Sequence, residues 1–278
     1  MSKAALIIIS YYNARPSNQL ESLIDQIYSI DAGMQFEILI VVNREVDRNL
    51  CLEKHNSNIR TIYRKNEGFN IGAWDYGWKN RDKDYCAYLF LQDDCIVYRH
   101  GWLKSLVQAA RHGLSGERLI DDALNWDESQ KFYEAFYRKR GTKNPDFDSE
   151  SGFLHTPYSI RKYLESRNIE IHKTMKHLQS LVICAGSKVM EDMGGFETGS
   201  TYRDAVASEV AISQKALSLG YRVRQVGLRP FENILHPQWL HVRAEAMLLR
   251  KLPRLLISRV LSGATRRSIR NFIFRNNR

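Results

Sequence analysis

The sequence predicts an α/β fold: a mostly parallel sheet flanked by helices, with a helical insertion and a basic amphipathic C-terminal extension. Three observations predict it. Short, unbroken apolar runs alternate with segments of helical period over the first half of the chain. Such strands belong to parallel sheets covered on both faces. Polar and Gly-rich clusters stand directly after those runs, where such sheets bind ligands. Positive charge gathers at the C-terminus: residues 243–278 hold ten Lys/Arg against one acid, in a chain of net charge +10.

Each element follows in order. Ala4–Ser10 reads as a buried strand. Leu20–Ile30 is helical, with Leu20, Leu23, Ile24, Ile27 and Ile30 on one face. Phe36–Val42 and Ile59–Tyr63 are the next strands, and Gly72–Asn80 is a helix. Tyr85–Leu91 is a fourth strand, and Trp102–Ala110 the helix after it. Residues 116–170 break the alternation. They are polar, show no clear strand, and cluster Trp126, Phe132, Tyr133, Phe136 and Tyr137. A helical or loop insertion beside the cleft is expected, with its aromatics filling a core more often than stacking on a ligand. From Leu181 the pattern becomes strand, helix and Gly turn. Ala205–Leu219 is a helix ended by Gly220, and Tyr221–Val226 a strand. The expected organisation is one domain over 1–242 and an extension over 243–278.

Composition sets bounds. With 44% hydrophobic and 26% charged residues the chain is globular and not disordered. The first apolar run, Ala4–Ile9, falls far short of the roughly 20 residues of a membrane-spanning helix. No signal-peptide pattern precedes it. Cys51, Cys86, Cys95 and Cys184 form no CxxC pair and no zinc spacing. Reduced thiols and a cytoplasmic location are therefore expected.

Four strand ends carry candidate chemistry: Ser10-Tyr11-Tyr12-Asn13, Asn43-Arg44-Glu45, Asn66 to Gly72, and Gln92-Asp93-Asp94. Singly, each reads as turn residues. Together, after successive strands, they read as a nucleotide site. Asn66, Gly68, Asn70 and Gly72 would let backbone N–H groups approach a diphosphate. No GxGxxG follows the first strand, and there is no P-loop. Asp93 and Asp94 offer hard oxygen ligands suited to Mg²⁺ or Mn²⁺.

The segments IIISYYNARP, IYRKNEGFNIGAWDYG, YLFLQDDC, VMEDMGGFET, ASEVAISQKALSLGYRV and ILHP occur in that order between Ala4 and His236. In this the chain resembles the GT-A glycosyltransferases of the inverting family 2, which use nucleotide sugars. The resemblance implies a GT-A-like (Rossmann-type) domain. It places Tyr11, Tyr12 and Asn13 along the base and ribose. Asn43 stands where the family often has an Asp that contacts the base. The Asn66–Gly72 loop and Asp93 would border the nucleotide. Asp94 matches the metal-binding last acid of the family's motif, and Gln92 replaces the first. His236 would complete the metal site, with His241 its competitor. Gly194, Gly195 and Phe196 match the turn that shapes the acceptor side. Glu209 falls at the catalytic base position, with Asp204 the backup acid.

The implied cofactor is a divalent metal, Mg²⁺ or Mn²⁺. The implied partners are a nucleotide-sugar donor, probably UDP-linked, and a glycan or lipid-linked glycan acceptor, in bacterial surface polysaccharide assembly. Two other readings stand beside this one. Gln92 and Asn43 allow a catalytically degenerate nucleotide- or glycan-binding protein. The tail allows a membrane-surface adaptor. In a helix over Arg254–Ala264, Leu256, Ile257, Val260, Leu261 and Ala264 share a face, and Arg266, Arg267, Arg270, Arg275 and Arg278 follow. Such a segment suits an anionic membrane surface, here the inner face of the membrane. The body offers no nucleic-acid motif, so no nucleic acid is expected as partner.

Overall fold

The computed structural model describes residues 4–45, 59–121, 124–139, 156–237 and 240. The chain divides into two compact units, Met1–Pro237 and Gln238–Arg278. The amphipathic helix expected over Arg254–Ala264, His241, and the side chains of Phe136 and Tyr137 lie outside the described residues.

The first unit is built on a seven-stranded sheet in the order Arg222–Gln225 (β10), Gly113–Gly116 (β6), Val182–Gly186 (β9), Ala87–Gln92 (β4), Ala5–Tyr12 (β1), Phe36–Arg44 (β2) and Ile59–Lys65 (β3). The first four strands are β1 (Ala5–Tyr12), β2 (Phe36–Arg44), β3 (Ile59–Lys65) and β4 (Ala87–Gln92). They run parallel, as the continuous apolar runs of β1, β2 and β4 predict. The far side holds β6 (Gly113–Gly116), β9 (Val182–Gly186) and β10 (Arg222–Gln225). There β10 is parallel to β6, while β9 is antiparallel to both β4 and β6. The parallel expectation holds for most of the sheet. Sequence analysis gave no strand at 113–116, and the reason is physical. Gly-Leu-Ser-Gly has no apolar period, but a Cβ at Gly113 would collide with the Arg222 backbone and one at Gly116 with the Val182 carbonyl. Close backbone packing selects that strand, not hydrophobicity.

Helices cover both faces. Leu6, Ile8, Leu39 and Val41 point to one face and pack with α2 (Phe69–Lys79), α6 (Ser187–Met193) and α7 (Tyr202–Ser218). The alternate residues Ile7, Ile9, Ile38 and Ile40 are buried on the other face. The remaining helices of the sheet region are α1 (Asn18–Ser29), which buries Leu20, Leu23, Ile24 and Ile27, and α3 (Trp102–Ala109). Trp74 of α2 is fully buried, and its indole N–H donates to the Leu91 carbonyl at 2.9 Å. That pairing lets a large aromatic enter the core without an orphaned donor.

The insertion forms α4 (Trp126–Lys139), α5 (Pro157–Ser166) and a two-stranded pair, β7 (Leu119–Ile120) with β8 (His177–Leu178). Two-residue strands have no period to read. The start of α5 is written in the sequence: Thr156 and Ser159 form a reciprocal capping box with Pro157 in the first turn. Trp126, Ile160, Leu164 and Ile169 pack on Ala207, Val210 and Ala211 of α7. Trp126 is thus core, the mundane alternative. Polar side chains of α7 tie the insertion down. Ser208 meets the Tyr163 hydroxyl at 2.9 Å, and Ser213 accepts from the Leu178 N–H. Gln214 binds the His172 N–H and the Thr174 and Lys176 carbonyls. Among the described residues no helix is long and apolar enough to cross a membrane.

Candidate active site

Three of the four polar clusters begin on the last rungs of the parallel ladders, at Ser10, Asn43 and Gln92, and run into the turns beyond; the fourth starts just after β3 ends at Lys65. Tyr12 pairs with Asn43, Asn43 with Arg64, and Ser10 with Gln92. This brings the C-terminal ends of β1, β2, β3 and β4 to one edge, where open α/β sheets bind ligands.

Several predicted nucleotide residues are engaged by the protein's own chain there. Asn43 is buried; its Nδ2 donates to Ser10 Oγ and the Phe69 carbonyl, each at 3.4 Å. Its Oδ1 accepts from Arg64 at 3.0 Å. Ser10 Oγ donates to Asn70 Oδ1 at 2.8 Å. Asn13 is buried and accepts the Glu45 N–H at 2.8 Å. The buried Tyr11 donates its hydroxyl to the Arg15 carbonyl. Tyr12 and Asn66 are half-exposed.

The Gly-rich segment runs into a helix start. Asn70 and Gly72 belong to the first turn of α2, which begins three residues before its periodicity shows. Gly68 supplies the left-handed residue before it, at φ 71°. A Cβ on Gly72 would collide with the Glu67 carbonyl, and one on Gly68 would press on Thr198. The protein's own packing uses the smallness of both glycines. Gly194, Gly195 and Phe196 are likewise held inward. Phe196 is buried edge-on against Phe90, and its N–H donates to Asp75 at 2.9 Å. Thr198 and Gly199, just beyond, are the residues that reach Gly68.

The acidic pair divides in role. Asp93 is buried, its N–H donates to the Ser10 carbonyl, and its Oδ2 has no hydrogen-bond partner. Burial and the neighbouring Asp94 push its pKa up to about 6. Asp94 faces a cleft of about 270 Å³ lined by Asn18, Gln19, Ser22, Gln26 and Pro237. Its Oδ1 lies 2.8 Å from His236 Nε2. His236 Nε2 also lies 3.3 Å from Gln92 Oε1. Burial raises the Asp94 pKa, but His236, a backbone N–H and Arg15 outweigh it and hold the carboxyl low.

The loop that carries His236 is fixed from afar. Glu117 is fully buried, and its carboxylate accepts the N–H groups of Glu232, Asn233 and Ile234 at 2.7–3.2 Å. Burial drives the Glu117 pKa up to about 7 against those hydrogen bonds. β11 (Ile234–Leu235) then pairs with β5 (Ile96–Val97), which follows Asp94. Sequence reasoning missed Glu117, which lies more than a hundred positions from the loop it holds.

Glu209 joins the same edge from α7. Its two oxygens accept the Ser180 N–H at 3.0 Å and the Ser180 hydroxyl at 2.9 Å. The Ser180 carbonyl in turn accepts Gln92 Nε2 at 3.4 Å. Asp204 sits in the first turn of α7, its carboxylate 3.5 Å from the Ser200 hydroxyl. Ser180 and Gln92 are therefore the links between the two acids chosen from sequence.

Among the described residues no three His, Cys, Asp or Glu side chains converge to hold a metal ion. A Mg²⁺-type ion nonetheless takes only one or two protein carboxylates where waters and substrate phosphates complete it. Asp94, which faces the cleft with its Oδ1 beside the His236 imidazole, fits that requirement.

No protein-family model matches the chain, and no curated protein matches it. Solved structures do. The structure of GalNAc-T7 with UDP, GalNAc and Mn²⁺ superposes with a TM-score of 0.51 at 11% identity, over 81% of this chain and 42% of that one. The chain has the GT-A fold. Mannosyltransferase PcManGT from Pyrobaculum calidifontis, in complex with GDP-Man and Mn²⁺, matches at 14% identity and TM-score 0.47, over 81% of this chain and 55% of that one. S. aureus TarS 1-349 matches at 14% identity and TM-score 0.42, over 75% and 55%. The chain spans about half the length of these proteins. In the GT-A frame of this chain, Asp94, His236 and Glu209 lie at the C-terminal edge of the sheet.

Proposed function

We propose that this GT-A chain is a glycosyltransferase. It moves a sugar from a nucleotide diphosphate donor, UDP-linked, to a hydroxyl of a glycan or lipid-linked glycan, with inversion. The observation that carries the reading is the meeting of Asp94 with His236 at the end of β4, linked through Gln92 and Ser180 to Glu209. A protein of the same fold holds UDP, GalNAc and Mn²⁺, which supports a nucleotide-sugar donor. The basic tail supports action on surface polysaccharide at the inner face of a membrane.

Asp94 and His236 would hold the divalent ion, Mg²⁺ or Mn²⁺. When bound, it supplies Lewis-acid screening of the charge on the departing diphosphate. Tyr12 and Asn66 are the half-exposed groups left to face base and ribose. Glu209 accepts the proton of the acceptor hydroxyl as it attacks the anomeric carbon opposite the leaving group. Ser180 fixes the carboxylate for that step. Lone pairs remain on both oxygens, since a carboxylate accepts about four hydrogen bonds. The insertion and the residues after Phe196 border the acceptor side.

A panel of nucleotide sugars tests the reading by donor hydrolysis and transfer with Mn²⁺, with EDTA, and with Asp94→Ala. Turnover of one donor, lost in EDTA and in the variant, is expected. Tight donor binding without turnover of any donor would favour a catalytically degenerate binding protein.

A further inference from the structure

We infer that the loop of residues 226–230, with Leu228 at its tip, is a membrane contact in the body of the protein, beyond the basic tail. It turns the edge of the sheet that carries Asp94 toward an anionic bilayer. Its consequence, that the acceptor is taken in its lipid-linked form, rests on the glycosyltransferase reading.

Strand directions place the loop. β10 is parallel to β6, and β6 and β4 are both antiparallel to β9. β10 therefore ends at the same edge as β4, where Gln92 and Asp94 stand. The chain then crosses residues 226–230 and turns back at Phe231 toward His236. The crossing is tied at both roots. The Val226 N–H donates to the Gly116 carbonyl and the Phe231 N–H to the Glu117 carbonyl, each at 2.9 Å. Gln225 Nε2 donates to the Gly227 carbonyl at 2.9 Å, and the Leu228 N–H to the Glu232 carboxylate at 3.1 Å. A Cβ on Gly227 would collide with that carboxylate. Phe231 is buried at φ 57°, a conformation that bulky residues rarely adopt.

On this fixed frame Leu228 is 99% exposed. A lone exposed leucine is ordinary, but the surroundings of this one are not. Residues 222–230 hold Arg222, Arg224 and Arg229 and no acid. Arg222 and Arg224 are exposed on one face of β10, opposite the buried Val223. Glu232, at the root of the loop, accepts the Leu228 N–H and faces Arg99 at 3.9 Å. Charges on an edge strand would by themselves be protection against strand pairing, which calls for no apolar tip. An apolar tip among cations matches an anionic lipid surface. The leucine enters below the headgroups, and the guanidinium groups meet lipid phosphates. One leucine and a few arginines are too little to hold the chain alone. They add to the basic segment 243–278, because two contacts on one chain raise each other's effective concentration. The edge with Asp94 then faces the headgroups, where the hydroxyl of a lipid-linked glycan stands.

The experiment is co-sedimentation of the full chain with vesicles of phosphatidylserine and phosphatidylcholine at low and high salt. Donor hydrolysis and urea midpoints are read on every variant and stay at wild-type values. Leu228→Ser weakens vesicle binding by about 10-fold at both salts, because apolar burial is not screened. Arg224→Gln with Arg229→Gln weakens it by about 10-fold at low salt and little at high salt. Leu219→Ser is the control. It alters an exposed leucine at the opposite edge, where α7 ends before β10 begins, and binds as wild type does. Leu228→Trp gains quenching by lipids brominated in their acyl chains, over a wild-type baseline in which Trp74, Trp78, Trp102 and Trp126 are buried. Wild-type vesicle binding by Leu228→Ser, an equal loss in Leu219→Ser, or no added quenching in Leu228→Trp overturns the inference and leaves the contact of the tail standing. An arginine variant that keeps vesicle binding but loses binding to poly(U) assigns the patch to nucleic acid and overturns it too. A wild type that hydrolyses no donor strikes the transferase reading alone, because vesicle binding is measured without a donor.

Discussion

At the scale of single residues, Glu209 must serve both the fold and the proposed chemistry. It anchors Ser180 with both oxygens, so removing its charge affects position as well as basicity. Glu209→Gln keeps the size and one acceptor oxygen. We expect turnover to fall by about 10²–10⁴-fold with donor affinity nearly unchanged. Wild-type turnover in that variant would transfer the role to Asp204. Asn43 gives the opposite expectation. Its amide satisfies Arg64, Ser10 and the Phe69 carbonyl inside the protein. Asn43→Ala should therefore cost about 1–3 kcal/mol of stability, seen as a lower urea midpoint. An unchanged midpoint with weakened donor binding would return Asn43 to the base site. The positions of Asp94 just after β4 and of Glu209 on α7 were legible in the sequence, because an apolar strand and a helical period place them, while the roles proposed for them come from the resemblance. The engagement of Tyr11, Asn13 and Asn43 was not legible. A polar side chain at a strand end looks the same whether it faces a ligand or a partner 21 or 32 positions away, as Arg64 is to Asn43 and Glu45 to Asn13.

At the scale of elements, the parallel half of the sheet was readable and the other half was not. β1, β2 and β4 announce themselves by apolar runs, whereas β6 is chosen by glycines that admit the Arg222 and Val182 backbones. The loop bearing His236 has no local signal either, since its support is the Glu117 carboxylate. That support has a pH signature. The Glu117 pKa rises from 4.5 to about 7 on folding. Between those values the folded state keeps a proton that the unfolded state has released. This group's contribution to stability is then full below about pH 4.5 and is lost as pH rises through 7. Glu117→Gln cannot titrate. Relative to wild type, the variant should gain stability between pH 5 and pH 8, measured as urea midpoints of both proteins. A wild-type-to-variant difference that is constant with pH would show that the carboxylate is ionised throughout.

At the scale of the whole molecule, charge separates the two ends of the chain. Residues 243–278 hold ten of the 41 Lys/Arg and only one of the 31 Asp/Glu. Sequence alone speaks for this segment, because it lies outside the described residues. Two forces would act on it at an anionic bilayer. Each Lys or Arg near the surface contributes about 1 kcal/mol before salt screening. Leu256, Ile257, Val260 and Leu261, on one face of a helix, would add apolar burial that salt does not screen. The two forces respond differently to ionic strength, so they can be separated. Full-length protein should bind phosphatidylserine vesicles at low salt, and bind more weakly but measurably at high salt. Leu256→Ser with Leu261→Ser should remove the residual high-salt binding and spare most of the low-salt binding. Deletion of residues 250–278 should abolish both, and leave donor hydrolysis intact because Asp94, Glu209 and His236 all lie in Met1–Pro237. Full-length protein that ignores anionic vesicles at low salt would defeat the membrane role. Loss of donor hydrolysis on truncation would show instead that the extension supports the transferase body.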